Sequence, residues 1–183
     1  SCMKLKLPIF IVITDEKTKT KKVKFGWVID FDDEKKIFLI EFGEEEPSLD
    51  VNLGEETPFR LTDTTRGGRA LAVSRPNQGK FRYALLKNYG FKCAVCSIEV
   101  SELLNACHIR GKDNNGSDDW RNGILLCLNH HAAFDNNLFR IDPTDFKIIC
   151  DREDLKIEEN KLKTQTGTLP HPDALRWRWK NSK

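Results

Sequence analysis

Cys93-Ala-Val-Cys96, Ala106-Cys107-His108-Ile109, Asn122-Gly123 and Cys127-Leu-Asn-His130-His131 follow one another in the middle of the chain, and their reading decides the fold. Cys93 and Cys96 form one knuckle, and Cys127 and His130 form a second of C-x-x-H type. Thiolate and imidazole are the preferred donors of tetrahedral zinc, and two such knuckles across a connecting segment make a closed structural site. Structural zinc on Cys93, Cys96, Cys127 and His130 is therefore expected. Three of the four histidines lie in this stretch, and the zinc set uses only one. His108 and His131 need another reason.

His131 directly follows His130, and both can begin one short helix, His-His-Ala-Ala-Phe-Asp. Neighbours on a helix point in different directions, so the two can serve separate metal centres. Asp135 lies four residues after His131 on the same helical face. That pair can hold a hard divalent cation such as magnesium or manganese. An equal reading makes Asp135 a capping or salt-bridge residue. His108 ends the short apolar stretch Leu103–Ile109, and Asn122-Gly-Ile-Leu-Leu reads as a second strand beyond a polar loop, Arg110 to Arg121. The order strand, loop, strand, helix is expected to bring His108 and His131 together beside the zinc.

These residues, in this order, resemble the HNH endonucleases, whose core is the ββα-metal finger. The resemblance runs from about Gly79 to Asp142 and is carried by Cys-Ala-Val-Cys, Ala-Cys-His-Ile, Asn-Gly-Ile-Leu-Leu-Cys and His-His-Ala-Ala-Phe-Asp. Gln78-Gly-Lys-Phe-Arg-Tyr-Ala-Leu-Leu upstream, and Leu138-Phe-Arg-Ile-Asp and Pro172-Asp-Ala-Leu-Arg-Trp downstream, resemble the restriction-type members of that family. The resemblance implies that His108 is the general base that activates water, that Asn122 holds the loop and orients that histidine, and that His131 is a ligand of the catalytic cation. It also implies hydrolysis of a DNA backbone phosphodiester, leaving 5′ phosphate and 3′ hydroxyl. One position departs from the pattern. Many members carry an acidic metal ligand just before the first histidine, where this chain has Cys107. A thiol is a poor ligand for magnesium. Either Asp135 completes the site, or substrate phosphate and waters do, or the metal preference is softer, extending to another divalent transition metal.

The formal net charge is only +2, so a purely electrostatic nucleic-acid binder is not indicated. The distribution is more informative. Eight basic residues and one acid lie between Arg60 and Lys92, whereas seven acids and no base lie between Glu41 and Glu56. Such segregation points to a positive face for phosphate, with Arg66, Arg69, Arg75, Lys80, Arg82 and Arg110 as candidate DNA contacts. A disulfide framework is the rival use of the cysteines. Nothing resembles a signal peptide, and 183 residues can bury a core without staples, so a reducing, cytoplasmic setting is expected. Cys150, in an Ile-Ile-Cys run, reads as an ordinary buried thiol, and Cys2 as a near-terminal thiol of no evident role.

The expected fold class is α+β. Residues 1–62 read as a small β-meander, barrel-like, serving as a DNA reader. Pro8–Thr14, the alternating Val23, Phe25, Trp27, Ile29 and Phe31, and Ile37–Phe42 supply its strands. Three strands make a thin core, so the piece is expected to pack on the rest or continue past Leu49. Trp27 reads as core. Residues 63–80 read as a basic linker and residues 81–183 as the ββα-metal, treble-clef-like nuclease domain. Phe81 to Tyr89 is expected to be a helix ended by Gly90, and Lys147 to Cys150 a strand. Trp177-Arg-Trp-Lys180 can grip nucleic acid or dock as a terminal segment. No membrane-spanning run is present.

The leading reading is a metal-dependent DNA endonuclease of restriction or defence type acting on double-stranded DNA. Cutting both strands of a duplex needs two active sites, which suggests a homodimer. The alternatives are a non-catalytic zinc module that binds DNA or protein, and a homing or nicking HNH nuclease of loose specificity.

Overall fold

The computed structural model describes residues 8–15, 18–32, 37–43, 58–62 and 76–182. Backbone packing divides the chain into two compact units, Ser1–Gly54 and Glu55–Lys183.

The first unit contains β1 (Pro8–Thr14), β2 (Lys21–Asp32) and β3 (Ile37–Phe42), joined antiparallel in the order β1-β2-β3. The meander read from the alternation is present, with a register shift between Val28 and Asp30. The described residues form an open three-stranded sheet. Closure into a barrel, and any continuation past Leu49, fall outside them. A sheet of this size buries little, and Phe10 remains 73% exposed. Among the described residues, Ile29 and Leu39 are its buried apolar side chains. Trp27 is half-buried: its indole N–H donates to the Gly43 carbonyl (3.3 Å) and its ring meets Phe25 edge-on.

The second unit is built around a hairpin of β4 (Leu104–His108) and β5 (Gly123–Cys127), paired from Leu104↔Cys127 to His108↔Gly123. All five residues of β5 are buried, because α1 (Pro76–Asn88) and α2 (Leu128–Asp135) both pack on the hairpin. A continuous Gly-Ile-Leu-Leu-Cys run is what a strand covered on both faces requires. Phe81 and Leu85 of α1 lie in the core with Leu104, Ile109, Ile124, Leu125, Leu126, Phe134 and Phe139. The helix expected over Phe81–Tyr89 starts earlier, at Pro76, where proline is compatible with the first turn. Likewise α2 starts at Leu128, two residues before His130, with Cys127 as its cap.

Two glycines are fixed by close approach. A Cβ on Gly123 would lie 2.6 Å from the Phe81 ring and 2.7 Å from Leu85, so a larger residue would force these two buried side chains of α1 to shift. A Cβ on Gly116 would lie 1.7 Å from the Arg110 carbonyl oxygen, so only glycine lets the β4–β5 loop fold back on itself.

The chain continues through a short ribbon of β6 (Arg140–Ile141) and β7 (Ile148–Ile149) to α3 (Pro172–Asn181). Cys150 is half-exposed rather than buried, with its thiol directed to the Leu138 carbonyl (3.5 Å). The ribbon is too short to cover it. Trp177 to Lys180 lie within α3, whose Ala174 and Leu175 are fully packed. Arg178 holds α3 to the end of α2 through the Phe134 carbonyl and Asn137 Oδ1 (2.9 Å). Of the two readings of Trp177-Arg-Trp-Lys180, docking therefore describes the segment's contacts. No helix among the described residues is long and apolar enough to cross a membrane.

Candidate functional site

The two knuckles converge. Cys93, Cys96, Cys127 and His130 are all buried, with their ligand atoms within 4.8 Å of one another. The separations are 4.0 Å for Cys96 Sγ to Cys127 Sγ, 3.7 Å for Cys93 Sγ to His130 Nδ1 and 3.1 Å for Cys127 Sγ to His130 Nδ1. A tetrahedral ion with Zn–S of about 2.3 Å and Zn–N of about 2.0 Å requires S···S of about 3.8 Å and S···N of about 3.5 Å. The donor set fits structural zinc. The ring of His130 is fixed for that role: its Nε2 donates to the Lys156 carbonyl (3.0 Å), which leaves the Nδ1 lone pair facing the sulfurs. The Cys127 amide also donates to Cys93 Sγ (3.3 Å). Burial first, then the neighbouring Cys93 and Cys127 sulfurs, push the Cys96 thiol up to about 12. A bound dication reverses that penalty by replacing the protons.

A second convergence lies beside the first. Cys107, His131 and Asp135 bring their ligand atoms within 4.8 Å of one another, running from a buried sulfur through a half-buried imidazole to an exposed carboxylate. Asp135 Oδ2 is 3.3 Å from His131 Nε2, and the Asn105 amide is 3.4 Å from His131 Nδ1. The pairing of His131 with Asp135 follows from their i, i+4 spacing on α2. Cys107 and Asn105 reach the same helix because residues two apart on a strand share a face. Burial first, then the Asp135 carboxylate, raise the Cys107 thiol well above the usual range.

His108 leaves the opposite face of β4. Its ring stacks on Phe81 at 4.0 Å with an interplanar angle of 6°. Its Nε2 is 3.0 Å from Asp118 Oδ1, and Lys112 Nζ is 2.8 Å from the same oxygen. Burial acts to raise the Asp118 carboxyl, but hydrogen bonds from His108 and Lys112 outweigh it and hold the group below its ordinary value. Asn122 is fully buried. Its Oδ1 accepts from the Arg110 amide (3.1 Å), and its Nδ2 donates to the Arg110 carbonyl (3.1 Å) and the Ser117 carbonyl (2.9 Å). One side chain thus clamps both ends of the loop that presents Asp118. Among the described residues, no hydrogen bond or ring contact joins His108 to His131.

The candidate DNA contacts divide. Arg66, Arg69 and Arg75 lie outside the described residues. Arg82, expected at a phosphate, instead donates to the Leu104 and Ser101 carbonyls and braces the start of β4. Its position in α1, directly over the hairpin, accounts for this. Arg110 lies over the Trp177 ring (4.8 Å) and donates from Nε to the Asn114 carbonyl (2.8 Å). Lys80 is half-buried in the first part of α1.

Asn105, Lys112 and Asp118 were not singled out by sequence. Strand alternation could have found Asn105, since it shares a face with Cys107. Nothing in the Asp- and Asn-rich loop distinguishes Asp118 from Asp113 or Asp119.

Residues 93–142, the segment that carries both donor clusters, match the family described as HNH endonuclease. Among solved structures, the chain is similar to one described as "Modification dependent TagI restriction endonuclease", at 16% identity and a TM-score of 0.47. The alignment covers 95% of this chain and 61% of that one, so this chain spans under two thirds of that enzyme's length. No curated protein matches the chain.

Proposed function

We propose that the chain is a metal-dependent DNA endonuclease of restriction or defence type, with His108 as general base. The observation that carries this reading is the setting of His108. Phe81 fixes the ring plane, and Asp118 accepts from Nε2, so the Nδ1 lone pair is left for a proton. Among the described residues, nothing else bonds to Nδ1. A zinc scaffold requires none of this.

In the reaction, His108 takes a proton from water as the water oxygen attacks the phosphorus in line. The bond from phosphorus to the 3′ oxygen breaks, leaving 5′ phosphate and 3′ hydroxyl. Asp118 stabilises the imidazolium so formed, and Lys112 keeps Asp118 ionised. Asn122 keeps the loop, and with it Asp118, in register with His108. His131 and Asp135 would hold the catalytic divalent cation, and their carboxylate and imidazole, taken without Cys107, suit magnesium or manganese. When bound, that cation supplies positive charge to the phosphoryl and leaving oxygens. Lys80 and Arg110, with Arg66, Arg69 and Arg75, would contact DNA phosphates. Residues 1–62 would serve as the reader, residues 63–80 as a basic linker and residues 81–183 as the nuclease. Cleavage of both strands would engage two copies of the chain.

The test is incubation of methylated and unmethylated plasmid with the protein and magnesium, manganese or nickel, against an EDTA control and a His108→Ala variant. Metal-dependent nicking lost in the variant supports the reading. No cleavage with any metal on either DNA favours a non-catalytic zinc module that binds DNA or protein.

A further inference from the structure

We infer that Cys107, His131 and Asp135 form a mixed sulfur, nitrogen and oxygen site for a thiophilic divalent transition metal, with Cys107 as the ligand that discriminates against magnesium. This deepens the nuclease reading by naming the class of its cation, and rests on that reading for its role in cleavage.

The donor atoms already converge within 4.8 Å, on two elements packed against each other. His131 Nε2 and Asp135 Oδ2, 3.3 Å apart, already have the spacing of about 3.3 Å that a four-coordinate ion with bonds of about 2.0 Å requires. Asp135, with a side chain 56% exposed, is free to adjust to an ion, while the Cys107 sulfur is buried. The imidazole is supported from behind. Asn105 meets Nδ1 and leaves Nε2 facing Asp135, which is the second-layer contact that fixes a ligating histidine.

The exposure gradient carries the rest. The Cys93, Cys96, Cys127 and His130 set is buried at every ligand, whereas this set has a buried sulfur, a half-buried ring and an exposed carboxylate. Three protein ligands with one side open is the layout of a site that admits water or substrate, and four closed ligands is the layout of a scaffold. Magnesium requires near-octahedral oxygen donors and sheds water reluctantly. A thiolate and an imidazole offer it two wrong donors of three, but suit zinc, cobalt or nickel.

Cobalt(II) reports on sulfur directly. The protein carrying one equivalent of zinc should be titrated with cobalt(II) in the absence of DNA. The expected result is one further equivalent bound, with a near-ultraviolet thiolate-to-cobalt band. Cys107→Ser should lose the band while zinc stays at one equivalent. Magnesium in 100-fold excess should leave the wild-type band unchanged. Asp135→Asn, which alters only an exposed group and so spares folding, should weaken cobalt binding at least tenfold. Cys107→Asp should bind magnesium at least tenfold more tightly than the wild type. A bound cobalt whose spectrum is unchanged by Cys107→Ser, or no metal bound beyond the one zinc, would overturn the assignment. Cleavage is read separately: an intact band without plasmid cleavage under any metal counts against the nuclease reading and leaves the metal assignment standing.

Discussion

His130 and His131 are consecutive residues of one helix that face different donor sets. His130 is 6% exposed, donates to a backbone carbonyl and closes a set of three buried sulfurs. His131 has a side chain 28% exposed, paired with an exposed carboxylate. The difference teaches how one short helix can hold a fold together and present chemistry at once. A closed set of soft donors has nowhere for substrate to enter, and an open mixed set is not needed for stability. The two therefore respond differently to perturbation.

The closed set should fail first and hardest. Structural zinc contributes on the order of 10 kcal/mol in small zinc modules. Cys127→Ala is expected to lose zinc and the cooperative unfolding transition of the 55–183 unit, checked by metal analysis and calorimetry. A variant that keeps its melting transition without zinc would break the comparison at its firmer end.

Across the hairpin, His108→Ala should lower the single-turnover cleavage rate by roughly 10²–10⁴-fold, the usual contribution of a general base. Zinc content, melting temperature and DNA binding should stay at wild-type values. A loss of zinc in this variant would mean that the two faces of the hairpin are not separable.

Asn122→Ala removes three hydrogen bonds from a fully buried side chain. At about 1 kcal/mol each, the expected loss is about 3 kcal/mol, or roughly 10 °C in Tm. Cleavage should fall as well, since the loop carries Asp118. Denaturant unfolding and the cleavage rate, measured on the same preparation, separate the two effects.

The smallest expected effect is Asp118→Asn. The folded carboxyl lies below its ordinary value of 3.8, so the stability it contributes is present above that value and lost as pH falls through the lower folded value. The difference in Tm between wild type and variant should be constant from neutral pH down to about 5 and shrink only below 3.8. A difference that persists unchanged at the lowest pH would show that packing, and not the charge, is what Asp118 supplies.

Much of this was legible in the sequence, for physical reasons. Cysteine knuckle spacing is a direct geometric constraint, so all four members of the buried donor cluster could be read from it. Alternation in Val23 to Phe31 declared its strand, and the apolar run of β5 declared a strand covered on both faces. Element ends were less visible. The first turn of a helix needs no apolar periodicity, so the start of α1 at Pro76 left little signal. Trp177 and Trp179 alternate with basic residues, as in a strand, yet lie on a helix. Residues two apart on a helix diverge, which sends Trp177 to Arg110 and Trp179 to Arg140. Cys107 was legible as a departure from a pattern, but not as part of a cluster. That required the β4 register and the packing of α2, which bring residues from distant parts of the chain together. Asp118 required the fold of a loop whose other acids look the same in sequence.

The most direct test of the division between the two sets is a paired measurement on His130→Ala and His131→Ala: zinc per chain, Tm, and metal-dependent plasmid cleavage. The account predicts that His131→Ala keeps one zinc and the wild-type melting temperature while losing cleavage by at least about 100-fold. It predicts that His130→Ala loses the fold. A His131→Ala protein that cleaves at the wild-type rate, or that loses its zinc, would contradict it.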